Sequence, residues 1–335
     1  MKRKWTAWVV SALLVAGVAL AGCGQQKAAG DKGDGEKAVA GYPKKPIMAI
    51  VAFPAGGGTD IVARSILKTA EKYTKQGFVV DNKPGAGGAI GFTALAGAPK
   101  DGYTIGLLNA PTLVLAPIQL GDKVKYKLDD FVPIANFVTD PGVFVVAADS
   151  PFQTLKDFID YAKANPNSVK LGYGGPGTSE ALALRSLEQT NDLKIRKVPY
   201  EGTGPQLTSL MGKNIDIMIA NASEIYPQYE AKQIRVLSIG SEKRIDMYPE
   251  VPTYKESGFD YVQVAMRGLG APKGMDPRQI QVLADAMKKA YDDPEFKKHA
   301  QDLHLPLDYM GPDDFKKELQ RQDTFYRAEF AKSPW

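Results

Sequence analysis

One stretch constrains the fold more than any other: Val51 to Arg64, which reads Val-Ala-Phe-Pro-Ala-Gly-Gly-Gly-Thr-Asp-Ile-Val-Ala-Arg. An apolar run, Ile47 to Phe53, stops at Pro54. Gly56, Gly57 and Gly58 then lead into a segment where Val62, Ile66, Ala70 and Tyr73 recur at the spacing of one helical face. The pattern predicts a strand, a glycine-rich turn and a helix over Thr59 to Tyr73. Such a turn bares backbone N–H groups beside the unpaired N–H groups and positive dipole end of a helix. Thr59 is a good N-cap and Asp60 a good first-turn acid, with or without a ligand. Two readings stand at this point, a tight strand-to-helix connection and a cradle for an anion.

The chain begins with a targeting pattern. Lys2, Arg3 and Lys4 form a basic start, Trp8 to Leu20 is an apolar core, and Leu20-Ala21-Gly22-Cys23 closes it. That tetrapeptide resembles the bacterial lipobox, which implies removal of residues 1–22 and lipidation of Cys23. The alternative is an ordinary secretory signal. The lipobox is preferred because Cys23 is the one cysteine in 335 residues and falls where the signal needs it. The expectation is an exported protein anchored by lipid to the outer face of the cell membrane.

Without residues 1–22, which hold three of the 42 basic residues and none of the 38 acidic ones, the chain carries 39 against 38. Nothing in that balance calls for nucleic acid. With no second cysteine, an intramolecular disulfide and a Cys-based zinc site are both excluded. Residues 23–41 lack the large side chains needed for a core and read as a flexible tether. The remaining ~295 residues are long for one simple core and predict two lobes. The expected division is 42–140 plus 262–335 for the first lobe and 141–261 for the second.

Strands expected at Phe78 to Asp81 and Thr104 to Asn109 alternate with helices, including one over Ala89 to Ala96, which argues for an α/β fold with a parallel-rich sheet. An apolar strand at Val143 to Ala148 precedes a helix expected to begin at Ser150-Pro151 and run through Asn165. The segment Gly172-Tyr173-Gly174-Gly175-Pro176-Gly177-Thr178-Ser179-Glu180 then repeats the opening design: strand, glycine-rich turn, Thr cap, acidic first turn, helix. Two helix starts of one design suit the two walls of a cleft.

Gly172 to Gly177 also satisfies the dinucleotide pattern G-x-G-x-x-G, with Glu201 closing the next strand, and so offers a nicotinamide-dependent oxidoreductase as the alternative. Pro176 argues against it by placing a rigid residue in a loop that needs its N–H groups. The two histidines, His299 and His304, sit in a Lys-rich stretch and read as a solvated helix face. No metalloprotease pair, nucleophile elbow or carboxylate-rich metal loop is present in the sequence. Ser179 reads as a hydrogen-bond donor. The composition of the site points to binding without catalysis, metal or cofactor.

The blocks Tyr42-Pro43-Lys44-Lys45-Pro46-Ile47, Phe53 to Asp60 with Ala63-Arg64, Asn82 to Gly88, Asp101-Gly102-Tyr103-Thr104, Val198-Pro199-Tyr200, Val251-Pro252-Thr253 and Ala271-Pro272-Lys273-Gly274 resemble, in order, the solute-binding proteins of tripartite tricarboxylate transporters. The resemblance implies a two-lobed periplasmic-binding-protein fold (type II) with two crossover segments. It further implies a monomer that binds a small mono-, di- or tricarboxylate between the lobes and delivers it to the large and small permease subunits. A ligand-sensing receptor for a two-component system is a further alternative.

In that family the carboxylate is held mainly by backbone N–H and hydroxyl groups. Carried onto this chain, the first lobe contributes Phe53, Gly56, Gly57, Gly58, Thr59, Asp60, Asn109 and Ala110. The second contributes Gly174, Gly175, Gly177, Thr178, Ser179 and Asn221. The chain departs from the pattern at Ala220, where many members have aspartate, and at Met266, where tryptophan is frequent. Arg267 is read as a hinge or surface salt bridge in preference to a partner for a distal carboxylate. Asp60 is left between helix-start complementarity and ligand contact.

Overall fold

The computed structural model describes residues 41–334 and Val39; the leader, Cys23 and almost all of the tether lie outside the described residues. In chain order the first elements are β1 (Ile47–Val51), α1 (Gly58–Thr74), β2 (Phe78–Asn82), α2 (Ala89–Ala96), β3 (Thr104–Ala110), α3 (Thr112–Leu120) and β4 (Phe131–Ala147). Next come α4 (Leu155–Ala164), β5 (Lys170–Tyr173), α5 (Ser179–Asn191), β6 (Arg196–Pro199), α6 (Thr203–Met211), β7 (Ile217–Asn221), α7 (Tyr226–Glu230) and β8 (Ile234–Ile239). The last are β9 (Val264–Pro272), α8 (Pro277–Asp292), α9 (Pro294–Asp302), β10 (Leu307–Met310) and α10 (Pro312–Lys332).

Two sheet regions share one strand. In the first, β1 runs parallel to β2 and β3, and β9, β4 and β10 extend it in antiparallel fashion. In the second, β5 is parallel to β6 and β7, while β4 lies antiparallel between β7 and β8. β4 leaves the first region at Pro141, opposite Val264, and enters the second at Gly142, opposite Asn221. The chain returns between Gly240 and Val264. The crossings meet in three backbone bonds: Gly142 N–H to Gln263 O at 2.8 Å, Gly240 N–H to Gly142 O at 2.7 Å, and Gln263 N–H to Gly240 O at 2.8 Å. A Cβ at Gly142 would stand 2.2 Å from Gln263 Cδ, so any larger residue here would displace the buried Gln263 side chain.

Each region has a core on both faces, as parallel strands covered by helices require. One face of the first packs Ile47, Ala49, Ile105 and Leu269 against Val62, Ile66, Leu283 and Phe296 of α1, α8 and α9. Its other face packs Ile50, Leu108 and Met266 against Phe92, Leu113 and Phe315 of α2, α3 and α10. In the second, Phe144, Leu171 and Ile217 meet Phe158 and Leu187 on one face, while Val143, Val145 and Met218 meet Leu210 and Tyr248 on the other.

The structure corrects several expected boundaries. β4 starts at Phe131, well before the expected apolar run, because Pro133 sits at a register shift against β9 and Pro141 at the switch between regions, where a missing N–H costs no ladder bond. The helix expected from Ser150 begins at Leu155. Thr154 is its cap, with Thr154 Oγ1 accepting from Asp157 N–H and Asp157 accepting from Thr154 N–H. Helix α3 was not foreseen, since Pro117 lies inside it. Thr59 does not cap α1: the helix starts one residue earlier with Gly57 at the N-cap, and Thr59 lies in the first turn.

Candidate functional site

The glycine-rich turns place two helix starts at one cavity of about 210 Å³. α1 enters from the end of β1, α5 from the end of β5, and the ends of β3 and β7, residues 200–202 with the start of α6, and β9 complete the wall. Phe53, Gly56, Gly57, Gly58, Thr59, Asn109, Ala110, Gly174, Thr178, Ser179 and Asn221 all line it. A larger groove of about 500 Å³ at Arg64, Lys68, Phe78 and His299 lies apart from both turns. His304, beyond α9, packs at a tilt against Tyr226 with centroids 4.0 Å apart rather than standing on a helix face.

Three of the expected residues do not line the cavity. Asp60 lies behind the first turn, 2% exposed. Its Oδ2 accepts from Gly56 N–H and Arg64 Nε, each at 2.9 Å, and its Oδ1 from Asn82 Nδ2 at 2.9 Å. Burial pushes this carboxyl up, and the hydrogen bonds from Arg64, Gly56 and Asn82 outweigh it and hold the carboxyl below its usual range. Gly175 and Gly177 shape the second turn from outside the cavity, with φ +86° and +85°. Gly177 faces Ala116 and Gln119 of α3.

The hydroxyls at the two helix starts are arranged alike. Asn109 Nδ2 donates to Thr59 Oγ1 at 2.7 Å, which leaves the Thr59 hydroxyl proton free to donate. Across the cavity Tyr254 Oη donates to Gln263 Oε1 at 2.9 Å, and Gln263 Nε2 donates to Ser179 Oγ at 3.4 Å. Ser179 is thereby also set as a donor. Thr178 caps α5 through Ala181 N–H at 3.3 Å and donates its own proton to Gly175 O at 2.8 Å. Two oriented hydroxyls beside two helix starts form a neutral donor set suited to an anion.

Sequence reasoning missed the charged floor. Arg267 on β9 is 1% exposed; its Nη1 reaches Asp140 Oδ2 and its Nη2 reaches Glu224 Oε1, each at 2.6 Å. It is thus a buried ion pair and not a surface one. Asp140 also accepts from Ser223 N–H at 3.1 Å and Ser223 Oγ at 2.5 Å, and Glu224 from the Thr203 hydroxyl. Burial opposes the charge of Arg267, and Asp140 and Glu224 more than offset it. Glu180, in the first turn of α5, lines the cavity too, and burial pushes its carboxyl up. The sequence marked Glu180 only as a helix-start acid, and nothing near Glu224 announced that it meets an arginine 43 positions away.

Residues 62–328 match the tripartite tricarboxylate transporter family receptor, TctC. A relative from Cupriavidus necator, described as a UPF0065 protein in the gbd 5' region, is 35% identical over 273 residues, covering 81% of this chain and 82% of its own. A solved periplasmic transporter superposes with TM-score 0.82 at 33% identity, covering 87% of this chain and 98% of its own. MatC from Rhodopseudomonas palustris with bound malate gives TM-score 0.78 at 25% identity, covering 86% and 99%.

Proposed function

Because the chain belongs to the tripartite tricarboxylate transporter receptor family, we propose that it captures a small carboxylate in the cavity between its two sheet regions and delivers it to that transporter's large and small permease subunits. It does so without chemistry or cofactor, as a monomer held at the outer face of the membrane by a lipid on Cys23. The halves 42–140 plus 262–335 and 141–261 act as lobes that close on the solute.

The observation that carries this reading is the matched pair of hydroxyls. Thr59 and Ser179 each accept a hydrogen bond from an amide nitrogen and so each point a proton donor into the same cavity, one from either side. A carboxylate with two oxygens uses both, together with the N–H groups of Gly58 and Ser179 at the helix starts; the Gly57 N–H is held by Pro54 O at 3.2 Å. Asp60, Gly175 and Gly177 hold the turns in shape. The malate bound by the similar MatC is consistent with a solute of this size and class.

Native mass spectrometry of gently purified protein, followed by isothermal titration of stripped protein with small carboxylates, tests it. A retained carboxylate that rebinds, with affinity lowered at least tenfold by Thr59→Val and by Ser179→Ala, is expected. Retention of a cationic or neutral solute with no carboxylate would overturn it.

A further inference from the structure

We propose that the solute is a carboxylate that also carries a protonated amine, and that Glu180 is the residue that selects it; the inference rests on the carboxylate reading above. Beside the donors, the cavity presents acceptors that lack partners among the described residues. Asn109 and Asn221 are 6% and 7% exposed, both line the cavity, and the Oδ1 of each has no hydrogen-bond partner among the described residues. A plain carboxylate offers acceptors only and satisfies neither. An ammonium offers three donors.

Charge separates an ammonium from a neutral hydroxyl. Arg267 is the one cationic residue on the cavity wall among the described residues, and both its Nη groups are taken by Asp140 and Glu224. Glu180 adds a third carboxyl to this floor and makes no ion pair among the described residues; its Oε2 stands 3.3 Å from where a Cβ on Gly174 would lie. The groups that face it are the Thr178 hydroxyl, Glu224, Arg267 and Tyr254. A second ligand carboxylate would meet excess negative charge, and of the guanidinium only the buried Arg267 Nε is without a partner among the described residues. An ammonium neutralises Glu180 and fills the amide oxygens together.

Titration calorimetry on three frames, each with hydrogen, hydroxyl or amino at one position, tests this: propionate, lactate and alanine; succinate, malate and aspartate; glutarate, 2-hydroxyglutarate and glutamate. In the frame that binds, the amino member is expected to be at least tenfold tighter than the other two. Glu180→Gln, with a melting temperature no lower than that of the parent, is expected to erase that advantage and leave the unsubstituted member's affinity unchanged or improved. A hydrogen or hydroxyl member that binds as tightly as its amino counterpart, or an unchanged ratio in Glu180→Gln, would overturn the inference and leave carboxylate binding intact. A retained solute with a carboxylate but no amine would overturn the inference alone, and a retained solute with no carboxylate would overturn both.

Discussion

Gly58 and Glu224, from opposite walls of the cavity, are in contact: a Cβ built on Gly58 would fall 2.2 Å from Glu224 Oε1 and 2.8 Å from Arg267 Nη2. The first residue of α1 is glycine because the Glu224 carboxylate lies against it. In a free helix, Gly to Ala stabilises by roughly 1 kcal/mol. Here Gly58→Ala is expected to destabilise in the parent, where Glu224 must move, and to cost less in a Glu224→Ala background, where only the approach to Arg267 remains. Urea unfolding of the four proteins checks it, and additive effects would refute the contact.

Asp140 and Arg267 form a pair with side-chain exposures of 0% and 1%. Removing Asp140 strips Arg267 Nη1 and both Ser223 donors of their acceptor and leaves Glu224 alone to offset the buried charge. Asp140→Ala is therefore expected to cost about 3–5 kcal/mol, seen as a lower urea midpoint with little change in slope. A loss below about 1 kcal/mol, the range of exposed pairs, would show that water reaches the site.

Glu180 should give stability a pH dependence of known sign. Its folded carboxyl is raised by burial, so the native state holds the proton more tightly than the unfolded chain. The advantage is complete below the unfolded value of about 4.3 and is lost as pH rises through the higher folded value. The stability difference between parent and Glu180→Gln should fall across that window and then level off. A difference flat with pH would place the Glu180 carboxyl in water.

Asp60 has the opposite sign. Its lowered carboxyl contributes stability above the unfolded value of about 3.9, lost as pH falls through the folded one. Asp60→Asn should cost about 1.5–3 kcal/mol at pH 7, as loss of charged hydrogen bonds does, and flatten the acid limb of the stability profile. Ligand affinity should change less than in Thr59→Val, since Asp60 supports the turn from behind.

Much of the site could be read from the chain because its signals are local. Glycines 56–58, Thr178 and Ser179 announce turns and helix starts within a few residues, and the structure brings both turns to one cavity. What stayed hidden depends on long-range pairing. Arg267 finds Asp140 across 127 positions, and Asn109 finds Thr59 across 50. Local signals also misled: Thr59 has the right chemistry for a cap, yet α1 begins before it and the hydroxyl is engaged by Asn109. The apolar run expected at Val143 to Ala148 is only the end of one 17-residue strand, which also takes in Pro133 and Pro141.

That strand has a mechanical consequence. β4 passes from one sheet region to the other without a loop, and at the passage Gly142 is riveted through backbone bonds to the returning segment at Gly240 and Gln263. Neither crossing can bend alone, so any swing of one half against the other must turn about this single axle. Gln263 also holds Ser179, so under the proposed function a rotation about this axle would shift the hydroxyl assigned to the solute.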